Sequence, residues 1–278
     1  MNEKSLTELI DASIASGASA LPVFPRAIAE LRAALKNENK TLDEIAKQIA
    51  MDTSLAGQVL RVANSSFYGG LNKISTVKEA IVRLGLSRVV QIATLMIQKG
   101  QFSSKDPGFS AAMTKLWQHS AAVALGSAWL ARHLGFAAIE EEAFFAGLFH
   151  DIGELLLLKC LDEIRAQNPN LHLPNDLILE IIRSQHETKG AWLLNAWNLP
   201  DAYAQVAGSH HQPITETTGT IELIVRTADT VAYKLGISIR PQTELMVSAS
   251  EEASRLGLSD IKLAELEIAL EDSVALSS

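Results

Sequence analysis

Two ionisable residues interrupt the apolar run FFAGLFHDIGELLLL at residues 144–158: His150 and Asp151 stand where a sequence building only a core would carry leucine. Five further residues could share chemistry with them. These are His119 in LWQHSAAVA, His186 in SQHETKGAWLL, His210 and His211 in GSHHQP, and Asp229 in VRTADTVAYKLG. Taken singly, each histidine has a plain reading, as a core imidazole bonded to a carbonyl or as part of a turn before proline. The aspartates differ. Apolar flanks on both sides of Asp151 and Asp229 place them on buried helix faces. An ionised carboxylate there costs several kcal/mol unless a cation or strong donors compensate it. Two buried carboxylates among histidines imply a metal.

Carboxylate oxygen with imidazole nitrogen is the ligand set of Mn, Fe, Co, Ni or Zn, and Mg remains open. The one cysteine, Cys160, excludes an internal disulfide and any zinc site built from several thiolates. Adjacent residues on a helix point about 100° apart, so His150 and Asp151 meet at one ion only if it lies between their directions. His119 and Asp229, each on its own helix, are the side chains that could close such a shell. Gly147 and Gly153 bracket the pair and would let neighbouring helices come close, at a cost of about 1 kcal/mol each within a helix.

The elements that must position these residues are helices. Ser5 with Glu8, Thr41 with Glu44 and Thr76 with Glu79 have the spacing of reciprocal N-terminal caps. Apolar residues then recur at intervals of three and four: Ile28, Leu31 and Leu35; Ile45 and Ile49; Leu55, Val59 and Val62; Val77, Ile81 and Leu84; Val89, Ile92 and Met96. Two-residue alternation bounded by turns is missing, so the expected fold class is all-α. The stretch KGQFSSKDPGFS at 99–110 has the composition of a connection. It separates about five helices without histidine from a block carrying all seven histidines. The expected organisation is 1–105, 106–240 and a tail of packing helices at 241–278.

Net charge −8 with 47% hydrophobic residues describes a globular chain. No Lys/Arg block exceeds a pair, which argues against nucleic acid as a partner. The longest apolar runs fall well short of the roughly 18 residues of a membrane span, and the acidic N-terminus is unlike a signal peptide. The expectation is a cytoplasmic protein with no membrane partner.

The order of His119, the His150–Asp151 pair and the distant Asp229 resembles the signature of the HD superfamily of metal-dependent phosphohydrolases. The stretches LPVFPRAIAEL, MDTSLAGQVLRVANSSFYGG and ISTVKEAIVRLGLSRVVQIA resemble the N-terminal part of the HDOD family, the HD-related output domain of bacterial signalling proteins. That resemblance runs from about residue 17 to 240. It implies an N-terminal helical bundle packed on an HD-like bundle, and a signalling or regulatory role through a protein partner. It also implies that His119, His150, Asp151 and Asp229 hold one divalent metal, of the Fe, Mn, Ni, Zn or Mg class. His186, His210 and His211 would help hold a second, with Asp151 bridging. The alternative the resemblance carries is an active phosphohydrolase on a nucleotide or other phosphoester, with Asp151 and His150 at the reacting centre.

Two departures bear on that alternative. Glu154 stands where cyclic-dinucleotide-cleaving HD-GYP relatives carry lysine, and QPITETTGTIEL after His211 has no GYP-like motif. Both argue against cyclic di-GMP hydrolysis. Lys115 and Lys189 are the nearest cations in sequence that could replace the lost charge at a substrate. His133 and His172 match no ligand position and read as capping or surface residues. The four tryptophans read as packing residues, and Trp117 as a shield for the metal. ANSSFYGG reads as a helix end closed by Gly69 and Gly70, with Asn64, Ser65 and Tyr68 bonding the turn.

Overall fold

The computed structural model describes residues 5–17, 21–37, 39–65 and 72–277. Their regular structure is helical: α1 (Leu6–Ala15), α2 (Arg26–Lys36), α3 (Leu42–Ala50), α4 (Thr53–Ala63), α5 (Val77–Leu84), α6 (Leu86–Lys99), α7 (Pro107–His133), α8 (Glu140–Phe149), α9 (Ile152–Gln167), α10 (Asn175–Ala196), α11 (Asp201–Ser209), α12 (Thr220–Lys234), α13 (Glu251–Arg255) and α14 (Asp260–Ser277). No strand occurs among the described residues, in keeping with the all-α reading. None of these helices is long and apolar enough to cross a membrane.

Helix starts follow their local chemistry. Ser5, Thr41 and Thr76 each cap a helix and exchange bonds with Glu8, Glu44 and Glu79. At α3 the Thr41 amide donates to Glu44 Oε2 at 2.7 Å while the Glu44 amide donates to Thr41 Oγ1 at 3.3 Å. The backbone amides of Thr41 and of Ser75 hold the carboxyls of Glu44 and Glu79 below the usual glutamate value.

The chain divides into two compact units, Phe24–Gln101 and Met1–Val23 with Phe102–Ser278. In the first, α2 to α6 close on a core of Ile28, Leu31, Ile45, Ile49, Val59, Val62, Val77, Ile81, Val89 and Ile92. These are picked out by helical spacing, as is buried Leu55; Leu84 and Met96 are only half-buried, and the side chain of Leu35 lies outside the described ones. The end of α4 is tied down by Asn64, whose side chain donates to Leu60 O and Ile74 O and accepts from the Ile74 amide. Ser65 Oγ bonds Val62 O. The closure assigned to Tyr68, Gly69 and Gly70 lies outside the described residues.

In the second unit the 27-residue α7 is central. Asp106 caps it, Pro107 fills its first turn, and buried Ala121, Ala122, Ala124, Ala128 and Ala131 give neighbours room to approach. Helices α8, α12 and α14 pack on α7, α10 packs on α9 and α11, and α1 packs on α9. The grouping thus differs from the three-part division: α1 joins the histidine-bearing block, and so do the helices of 241–278. Trp117 is buried against Phe102, with ring centroids 5.3 Å apart, whereas Trp192 is 44% exposed and does not pack as expected. His133 bonds Trp129 O at the end of α7 and His172 is exposed, both as expected.

Candidate metal centre

The seven residues come from three helices, the end of a fourth and one junction. His119 projects from α7, His186 from α10 and Asp229 from α12, and His210 and His211 follow the last turn of α11. His150 and Asp151 are not side by side within a helix, as the apolar run suggested. His150 ends α8 and Asp151 begins α9. An aspartate at a helix start normally accepts the first free amides, yet Asp151 makes no such side-chain bond. Its carboxylate turns inward instead.

Two glycines permit this junction. A Cβ on Gly153 would fall on the His186 carbonyl oxygen and lie 2.7 Å from the Gly190 amide nitrogen. A Cβ on Gly147 would meet Val123 O at 2.9 Å. Glycine therefore brings α9 against α10 and α8 against α7, which sets the distances between imidazoles and carboxylates.

Those distances fall into two groups sharing Asp151. Asp151 Oδ2 lies 3.3 Å from both His119 Nε2 and His150 Nε2. Asp151 Oδ1 lies 3.2 Å from His210 Nε2 and 3.7 Å from His186 Nε2. Asp229 Oδ1 is 3.1 Å from His119 Nε2 and 3.6 Å from His150 Nε2. Ligand atoms of His119, His150 and Asp229 all lie within 4.8 Å of one another, as do those of Asp151, His186, His210 and His211. Six of the seven are buried; His211 is exposed.

Backbone carbonyls decide which nitrogen faces inward. Nδ1 of His119 bonds Ile237 O at 2.7 Å, that of His150 bonds Gly147 O at 2.7 Å, and that of His186 bonds Ile182 O at 2.9 Å. Nδ1 of His210 sits 3.2 Å from both Val206 O and Ala207 O. A carbonyl only accepts, so Nδ1 is the protonated nitrogen in each ring and Nε2 carries the lone pair in the neutral form. Four lone pairs thus point at two carboxylates and at each other, with His119 and His150 facing Nε2 to Nε2 at 3.1 Å.

Such an array of acceptors is stable only around positive charge. Burial alone would depress the His119 imidazolium, but Asp151 and Asp229 outweigh it and push the pKa up to about 9. His150 rises in the same way. Burial raises the two aspartates, and the imidazoles beside them more than reverse this, so both stay ionised. Borrowed protons do not complete the site. His186 Nε2 and Asp229 Oδ1 are buried with no hydrogen-bond partner, although His119 Nε2 is close to the latter. Orphaned nitrogen and oxygen donors converging in a buried space fit a divalent cation, and the donor set is that of Mn, Fe, Ni or Zn.

The lysines named from sequence stand apart. Lys189 pairs with Asp11 of α1 at 2.5 Å, and Lys115 is exposed in a different groove with Phe109, Leu158 and Ile178. The cation beside the cluster is Arg240, whose Nη2 lies 2.9 Å from Glu154 Oε1. Glu154 is 3% exposed, and burial, then Asp151, push its pKa up to about 7 against the pull of Arg240. Tyr233 also escaped notice; its ring centroid lies 5.3 Å from that of His119. Leu116 and Tyr233, rather than Trp117, line the small cavity beside His119 and Asp151. A cleft of about 790 Å³ reaches His186, His211 and Asp229, with Arg183, Gln212, Tyr233 and Arg240 in its wall.

Comparison with known proteins agrees with this architecture. An uncharacterized protein of Treponema pallidum (strain Nichols) is 24% identical over 238 residues, covering 80% of this chain and 45% of the relative. The chain therefore spans less than half of that relative's length. An HDOD domain protein of Geobacter sulfurreducens superposes with a TM-score of 0.74 at 20% identity, covering 98% of this chain and 97% of the other. A Shewanella amazonensis SB2B protein described as a candidate metal-dependent phosphohydrolase superposes at 0.72 with 18% identity, covering 98% and 99%. A Marinobacter aquaeolei VT8 protein described as a candidate signal transduction protein superposes at 0.65 with 19% identity, covering 100% of this chain and 62% of the other. At these identities the structural likeness speaks for the fold. Residues 21–213 match the HDOD domain, and the chain belongs to that family.

Proposed function

We propose that this chain is a bacterial, cytoplasmic HDOD signalling protein that depends on a retained divalent metal centre and acts through a protein partner. One observation carries the reading: the two oxygens of Asp151 face four inward imidazole nitrogens from four different segments at 3.2 to 3.7 Å. A chain that used this bundle only as a scaffold would gain from apolar residues at these positions. In this reading His119, His150, Asp151 and Asp229 would hold one ion, and His186, His210 and His211 would help hold a second.

The residues around the ligands hold them in place. Backbone carbonyls at Gly147, Ile182 and Ile237 fix ring orientation, and the glycine contacts at 147 and 153 fix the spacing of the helices. When bound, a pair of such ions supplies an activated water and neutralises charge on a phosphoryl group.

A second reading, metal-dependent hydrolysis of a phosphoester, is favoured by the cleft that opens onto three of the ligand side chains. A turnover screen on nucleotides and generic phosphoesters with added Mn, Ni or Mg separates the two. Phosphate release that vanishes in Asp151→Ala and survives in His133→Ala establishes the enzyme. No release from folded, metal-replete protein leaves the signalling reading standing alone.

A further inference from the structure

We infer that Arg240 is the anion-binding residue of the cleft, set in place by Glu154, so that the site receives phosphate-class anions through a guanidinium delivered by the loop after α12. The inference rests on the metal-centre reading above, since an anion must reach the ions to be held there.

The position of Arg240 is built by the backbone. Just past the end of α12 stands Gly236 at φ 77°, and the amides of Gly236 and Ile237 return to Tyr233 O and Ala232 O. The same turn presents Ile237 O to His119 Nδ1 at 2.7 Å, so one loop both orients a ligand imidazole and leads to Arg240. Ser238 Oγ accepts the Arg240 amide at 3.0 Å and the Gln242 amide returns to Tyr233 O at 3.0 Å, which pins the residue from both sides.

Glu154 supplies the other half. Its carboxylate is buried, and Arg240 Nη2 meets one of its oxygens at 2.9 Å. Both residues line the small cavity with His119 and Asp151, and Arg240 also lines the open cleft with His186, His211 and Asp229. Arg240 keeps 27% of its side chain exposed. A guanidinium has five donors in a planar fork, so one bond to Glu154 leaves donors for an anion in the cleft. Arg183 stands in the same wall, exposed, with no ion pair among the described residues. Glutamate at 154 therefore does not simply repel a phosphate; it anchors the cation that attracts one.

Asp176, Glu180 and Glu187 also line the cleft. Glu187 is engaged by the His211 amide and the Gln212 side chain. These acids set a condition: anion affinity would need bound metal as well as Arg240. Binding should accordingly be lost in metal-free protein.

The test is calorimetric titration of inorganic phosphate into metal-replete protein, with metal content measured on every sample. Wild type is expected to bind. Arg240→Gln should bind at least about tenfold more weakly with unchanged metal content, a difference equivalent to about 1.4 kcal/mol. Arg240→Lys should recover part of the loss, and Lys115→Gln should match wild type. The double variant Glu154→Gln, Arg240→Gln removes the buried acid along with its partner and should show the same weakening should the single variant fold poorly. Phosphate affinity unchanged in Arg240→Gln overturns the inference. So does loss of metal in both variants, which would make Arg240 a structural support of the centre. A metal-replete wild type that binds no phosphate overturns it while leaving the metal reading intact. A wild type that holds no metal overturns both.

Discussion

Among the described residues of 24–101 the polar side chains taken into the interior are Gln91, Thr94 and Gln98, all uncharged, and the carboxylates of Glu44 and Glu79 work at exposed helix starts. Residues 102–278 bury His119, His150, His186, His210, Asp151, Glu154 and Asp229, each at 4% exposure or less. Both regions are built from capped amphipathic helices with apolar cores. The first bundle keeps its carboxylates where solvent offsets their desolvation, whereas the second gathers imidazoles and carboxylates inside, where a cation would offset it. That contrast is what makes residues 102–278 the region with a candidate site.

The sharpest way to test the contrast is to place the same methyl group in both. Gly153→Ala forces a Cβ onto the His186 carbonyl and should destabilise the 102–278 unit by about 3 kcal/mol or more, seen in urea denaturation. Gly57→Ala, in α4 with nothing within 4 Å of the added atom, should stabilise by about 0.5–1 kcal/mol. Equal effects would mean that the close approach of α9 and α10 is not enforced.

Removing metal should discriminate next. Chelation should cost the 102–278 helices about 3 kcal/mol, the linkage expected for a ligand present at about a hundred times its dissociation constant. Peptide-resolved hydrogen exchange should show the loss in α7 to α12 and little change in α3 to α5. Uniform loss across both regions would break the comparison.

In the chelated protein, pH should act on the two regions in different windows. His119 has a raised folded value of about 9 against 6.5, so its contribution is complete below pH 6.5 and is lost as pH rises through 9. Glu154, raised to about 7, works in the same direction at lower pH. Asp151 and Asp229 are lowered, so theirs is present above 3.8 and is lost in acid. Protection of α7 to α12, corrected for intrinsic exchange, should fall between pH 6.5 and 9. The region 24–101 has no histidine, and its lowered Glu44 and Glu79 lose their contribution only as pH drops below 4.5. A parallel decline in both regions would contradict the assignment.

The smallest expected effect is Thr76→Ala, which removes the cap of α5 and should cost about 1 kcal/mol in the 24–101 unit, with metal content unaffected.

Much of this was legible before any coordinates, for reasons of range. Caps such as Thr41 with Glu44 span three residues, and a core position such as Val59 is defined within its own helix, so the information is local. The clustering of the seven residues was legible because ionisable residues such as Asp229 in apolar surroundings violate the pattern around them. Arg240 was not, because it lies 86 residues from Glu154 in a loop with no periodicity. Lys189 was misplaced for the same reason, since its partner Asp11 is 178 residues away. The junction between α8 and α9 was hidden because the apolar run continues through His150 and Asp151 without a proline, and Gly147 and Gly153 read equally well as close-approach positions within one helix.

Elemental analysis of the purified chain addresses the central claim most directly. The account predicts Mn, Fe, Ni or Zn at one to about two equivalents per chain, lost in Asp151→Ala and retained in His133→Ala. Wild-type protein that is folded and takes up no divalent ion even when dialysed against it would contradict the account.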